Sequence, residues 1–253
     1  MISGLARAAA VFGQRHYFDL AAQATRFILE KQWVDGRLHR LNYEGTTAVR
    51  AQSEDYALFI KALLDMQQAS LVWPGDAHHA PWLDHALRVQ AEFNQWLWSD
   101  SIGGYYNSAK DASDQLLIRE RAYQDSATPA ANGVAIANLV KLALLSEDLS
   151  HLDRAEKGLQ AFGAVMAQMS RACPSLLMAL DWFRHATLVR TAPDHIGQLL
   201  ALYSPTAVFK PLDTLPSGTV GLVCEGLFCQ APASDWETLR SQLQRSQQRT
   251  TQD

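Results

Sequence analysis

The chain has 253 residues, 48% of them hydrophobic and only 19% charged, with a net charge of −4. That composition supports a sizeable core and excludes intrinsic disorder over most of the length. It offers no basic surplus for nucleic acid and no acidic interaction tail.

Apolar periodicity predicts a helix over 3–12 and a longer amphipathic helix over 17–31. The link over 33–52 is long, and the alternation from Gly36 to Leu41 reads as a small solvated hairpin. The next helix, 54–69, places Phe59, Ile60, Leu63 and Leu64 on one face. Ser53 is positioned to cap it, and Glu54 and Asp55 suit the positive end of its dipole. A helix over 81–98 follows a turn bounded by Pro74 and Pro81. The second long link, 99–127, holds Gly103-Gly104-Tyr105-Tyr106. Thr128 as cap and Pro129 at the first helical position predict a helix over 130–145, apolar nearly all round and therefore buried. An outer helix over 150–169 comes next. Beyond it the pattern changes to a helix at 174–183, a strand at 186–190 and a helix at 194–202. Strand candidates at 207–209 and 219–224, a helix at 234–244 and a polar tail complete the chain.

A short motif recurs: Tyr17-Phe18-Asp19-Leu20-Ala21, Trp82-Leu83-Asp84-His85-Ala86 and His151-Leu152-Asp153-Arg154-Ala155. Each copy opens an outer helix that follows a more apolar one. The unit is an αα-hairpin, and such units stack into a solenoid or close into an α/α toroid. The predicted organisation is hairpin repeats over 1–184, a small α/β appendage over 185–245 and a polar tail over 246–253.

Three cysteines, Cys173, Cys224 and Cys229, do not make a disulfide framework. Cys224 and Cys229, five apart, read as packed thiols, with pairing or a metal role as the alternative. The expected compartment is the cytoplasm. The longest apolar stretch, about 13 residues from Gly133 to Leu145, is too short for a membrane span. No phosphate loop, HExxH or GxSxG motif occurs, so no cofactor is expected. Asp76, His78, His79 and His85 match no standard zinc spacing and read as a solvated turn, so no metal is expected.

Four segments resemble one known family. Glu54-Asp55-Tyr56-Ala57 with Ile60 and Leu63-Leu64 resembles the EDYA…I…LL motif of the YyaL / spermatogenesis-associated thioredoxin-fused family. Asp125 to Asn132 is similar to its DGAxPSGN segment, Gly103 to Tyr106 to its GGxF/Y loop, and Val223 to Pro232 to its VC…CxxP signature. Ser126, Ala130, Ala131 and Gly133 depart from the second motif. The resemblance implies a thioredoxin-like domain fused to an (α/α)6 toroid like those of six-hairpin glycosidases and N-acylglucosamine 2-epimerases. Met1 to Ala8 resembles an internal family segment, so this chain corresponds to the C-terminal part. The expected fold is therefore mainly α: a partial toroid of about three hairpins with a small α/β appendage, too short for a closed ring.

In such a fold the long links line one cavity mouth. Glu54, Asp55 and Asp125 are the candidate catalytic carboxylates, since paired acids beside aromatics suit sugar chemistry. Tyr56, Tyr105, Tyr106 and Asn132 are candidate substrate contacts. His39 is positioned as a base and Arg40 as an anion holder, completing the binding set. The competing readings are structural: helix-terminal acids, a turn-packing amide and a solvated hairpin. Two functions follow. One is a carbohydrate-processing protein, glycosidase- or epimerase-like, with a small sugar ligand. The other is a non-catalytic scaffold that completes a toroid with a partner chain carrying the thioredoxin-like and N-terminal parts. Neither involves nucleic acid or membrane.

Overall fold

A computed structural model describes residues 1–73, 81–112 and 117–249. Helices α1 (Ile2–Phe12) and α2 (Arg15–Lys31) form the first hairpin. The link after them folds into an antiparallel sheet of β1 (Trp33–Val34), β2 (Arg37–Tyr43) and β3 (Thr46–Arg50). Its register pairs Trp33 with Leu38 and His39 with Arg50. Helices α3 (Ser53–Ser70) and α4 (Trp82–Leu97) make the second hairpin, α5 (Ala131–Ser146) and α6 (Ser150–Ala161) the third. A short α7 (Gly163–Gln168) and α8 (Pro174–His185) follow.

The apolar helices α1, α3, α5 and α8 lie side by side, each against the next, while α2, α4 and α6 cover them. The recurrent motif explains this layering. Its alanines, Ala21, Ala86 and Ala155, are all fully buried, and its aspartates, Asp19, Asp84 and Asp153, all face solvent. A methyl at the contact lets each outer helix approach closely, and the carboxylate marks the wet side. Helix α5 is buried along almost its entire length, as its all-round apolarity requires.

The C-terminal unit is a four-stranded mixed sheet, ordered β5 (Ala207–Pro211), β4 (Thr187–Thr191), β6 (Gly221–Glu225), β7 (Phe228–Cys229). Strands β4 and β5 are parallel, joined through α9 (Pro193–Leu200); β6 and β7 run antiparallel, and α10 (Trp236–Ser246) closes the chain. This unit has its own core of Val189, Ile196, Leu199, Phe209, Val223, Leu239 and Leu243. Gln68 of α3 stitches it to the helices, donating to the Phe209 carbonyl at 3.1 Å and accepting from the Phe209 N–H at 2.7 Å.

Three sequence expectations are corrected. The fold is not a mainly α partial toroid. It is helix-rich with two sheets, one antiparallel and inserted between α2 and α3, the other mixed and C-terminal. The alternating link residues that read as a minor hairpin form a full three-stranded sheet. Cys224 and Cys229 are not packed thiols; they face each other across β6 and β7 and form a disulfide. That removes the cysteine count as an argument for a reducing compartment. No helix among the described residues is long and apolar enough to cross a membrane. Among them, too, no three His, Cys, Asp or Glu side chains gather to hold a metal. Asp76, His78 and His79 lie outside the described residues, and His85 sits half-buried on α4.

Candidate functional site

The predicted site residues fall into two groups. The first stands at the start of α3. Asp55 reaches back to the Gln52 N–H at 2.8 Å, the acidic half of a capping box. The cap is thus Gln52 rather than Ser53. The same Asp55 Oδ2 accepts from Arg40 Nε at 2.8 Å, while Arg40 Nη2 donates to Glu54. One guanidinium therefore bridges both carboxylates, and its bond to Asp55 holds the Arg40 charge more firmly than usual.

This cluster forms a ridge between two hollows. On one side is an open groove of about 590 Å³. Ile28, Leu38, Leu58 and Phe59 supply its apolar wall, and His39, Arg40 and Asp55 its polar rim. The His39 Nδ1 lies 3.3 Å from the Gln32 carbonyl. That acceptor places the neutral-ring proton on Nδ1 and leaves Nε2 able to accept. On the other side a smaller hollow of about 150 Å³ is lined by Glu54, Asn107, Gln124 and Thr128. Glu54 itself is half-exposed.

The second group is built inward. Asp125 Oδ1 accepts from the Ala130 N–H at 2.7 Å and from Ser175 Oγ at 2.5 Å; Oδ2 accepts from the Ser175 N–H at 2.7 Å. It caps α5 and α8 together, a task the sequence had assigned to Thr128 at α5. Gly133 makes that junction possible, since a Cβ there would lie 2.2 Å from Ser175 Oγ. Asn132 is fully buried; its side chain accepts from the Tyr105 N–H at 2.6 Å and donates to the carbonyls of Tyr105 and Ala122. Tyr105 is also fully buried, its hydroxyl donating to Asn94 at 2.6 Å, and burial raises its pKa. The preceding Gly104, at φ +76°, leaves room for Asn132 and Phe162 where a side chain would collide. Tyr106 lies under the Arg119 guanidinium, 4.1 Å from ring centre.

Tyr56 belongs with a residue the sequence did not single out. Its hydroxyl donates to Glu92, a buried carboxylate that also accepts from Trp33 Nε1 at 2.7 Å and the Leu38 N–H at 2.9 Å. Burial, then the hydrogen bond to Glu92, raise the Tyr56 pKa. Glu92 anchors the first sheet onto α3 and α4. Its signal was a carboxylate within the apolar stripe of Val89, Phe93 and Leu97. Asn107 and Gln124 carried no comparable signal.

Fold and site together define a helix-rich domain with a carboxylate–arginine ridge between two surface hollows. No family model matches the chain. It is 32% identical over 192 residues to spermatogenesis-associated protein 20 of Rattus norvegicus, and 30% identical over 191 residues to that of Homo sapiens. Each alignment takes in 72% of this chain and 23% of the relative. An uncharacterized protein of Caenorhabditis elegans is 27% identical over 209 residues, 79% of this chain and 27% of that protein. The chain is homologous to spermatogenesis-associated protein 20, and it spans about a quarter of the length of the curated relatives it matches.

Proposed function

We propose that this domain binds a small polyhydroxylated ligand, a sugar or sugar acid, along the ridge, in the service of carbohydrate processing. The observation that supports this most is the placement of Glu54, Asp55 and Arg40 between an apolar-walled groove and a hollow lined by amide and hydroxyl groups. A sugar offers one apolar face and many hydroxyls, and such a mixed lining matches both. Arg40 and Asp55 would orient the ligand, Glu54 would exchange a proton with a ligand oxygen, and His39 Nε2 would accept from a hydroxyl. Titration calorimetry against neutral and acidic monosaccharides tests the reading. Arg40→Leu is expected to weaken binding roughly tenfold, the worth of one charge-assisted contact. A panel giving no heat with the wild-type protein would end the proposal.

A second reading is that this face seats another polypeptide, such as one bearing the thioredoxin-like part that the family resemblance implies. Exposed Val11, Phe12, Leu20, Phe27 and Leu58 on α1, α2 and α3 favour it. Light scattering on a sizing column, with and without such a polypeptide, separates the two readings.

A further inference from the structure

The disulfide on the C-terminal sheet belongs to neither hollow. Its two sulfurs sit in unlike surroundings. Cys224 lies on β6, is 3% exposed, and packs beside β4. Cys229 lies on the two-residue edge strand β7 and is exposed to solvent. Between them, Leu227 of the turn and Phe228 of β7 point outward, at 69% and 83% exposure. The buried sulfur has a cationic neighbour: Arg190 Nη1 lies 3.4 Å from Cys224 Sγ. The same guanidinium is shared with Glu147, at 3.1 Å, which Lys210 also approaches at 2.8 Å.

Thiol–disulfide exchange has a directional requirement. The incoming thiolate must reach one sulfur, and the other must leave as a thiolate, faster when its charge is stabilised. Here the reachable sulfur is Cys229 and the stabilised leaving sulfur is Cys224.

We infer that Cys224–Cys229 is a thiol-exchange site, attacked at Cys229 by an external thiolate, with Arg190 receiving the Cys224 thiolate. In the first step the incoming RS⁻ forms a bond to Cys229 Sγ while the Cys229–Cys224 bond breaks, its electron pair going to Cys224. A second thiolate of the reductant then attacks the mixed disulfide at its own sulfur and releases the Cys229 thiolate. One dithiol is oxidised to its disulfide and one protein disulfide is reduced to two thiols. The two protons lost by the reductant return to the protein thiols through solvent. The chemical class of co-reactant is therefore a thiol, acting in pairs.

The test uses the full chain, first equilibrated with oxidised glutathione and alkylated with iodoacetamide. Cys224 and Cys229 are expected to be blocked from alkylation; labelling of both would overturn the proposal. Reduced glutathione is then added with an alkylating trap, and the mixed disulfide is mapped by mass. Glutathione on Cys229 with the alkyl group on Cys224 is expected; the reverse assignment overturns it. Two variants test Arg190. Arg190→Gln should slow opening by dithiothreitol about 3- to 10-fold, because the leaving thiolate loses its cation. Glu147→Gln should speed it, because the guanidinium loses a competing carboxylate. Equal rates in all three proteins, or slowing in both variants, would overturn the role of Arg190.

Discussion

Two regions start from the same sequence cue and end differently. Both the α3 and the α5 start follow a long link and carry acids or amides beside the first helical turn. At α3 the polar groups share one another: Arg40 serves Glu54 and Asp55, and the ridge faces water. At α5 they serve the backbone: Asp125 and Asn132 take up N–H and C=O groups of three different segments, Asn132 fully buried and Asp125 partly so. The difference lies in the number of unsatisfied main-chain groups nearby. Helix α5 begins against α8, and two helix starts leave more orphan donors than one.

Removing the carboxylate shared by two helix starts should have the largest effect. Asp125→Ala strips the shared cap from α5 and α8 and is expected to cost about 2–4 kcal/mol in urea unfolding. A loss within error of zero would erase the contrast between the regions. Asn132→Ala leaves the Tyr105 and Ala122 main-chain groups unpaired and is expected to cost about 1–3 kcal/mol. Amide exchange at residues 103–107 should accelerate with it.

A smaller effect concerns acid. His151, at the start of α6, is buried with its Nδ1 unpartnered among the described residues. Burial lowers its pKa below the usual histidine value. The unfolded chain therefore binds more protons below about pH 6.5, and stability falls as pH drops through that range. His151→Leu should flatten this slope between pH 7 and 5. The smallest stability change is expected at the ridge: Glu54→Gln should alter unfolding by less than about 0.5 kcal/mol, as for exposed ion pairs. If it is also without effect on sugar binding, Glu54 leaves the proposed site.

Much of the helical scaffold was legible because burial imposes period. Helix α5 announced itself by apolarity on all sides, and the Ala21, Ala86 and Ala155 recurrence marked the outer helices. The extent of sheet was not legible: β1 and β7 are two residues long, too short to show alternation. The site was half legible. Charge and helix position pointed to Glu54, Asp55, His39 and Arg40; His39, Arg40 and Asp55 share the groove rim, and Glu54, joined to them through Arg40, lines the hollow on the other side. The same reasoning could not tell that Asp125 and Asn132 face inward, because the partner at α8, Ser175, lies fifty residues beyond Asp125. Nor could it pair Tyr56 with Glu92 or place Asn107, since both depend on how α3 meets its neighbours.

The recurrent alanines have a mechanical consequence. Each acts as a notch one methyl deep in the face of an outer helix. Sliding along the neighbour by one turn would drive Thr25, Gln90 or Leu159 into the space that Ala21, Ala86 or Ala155 now fills. The helical stack should thus resist axial shear and yield first by splaying at its long links.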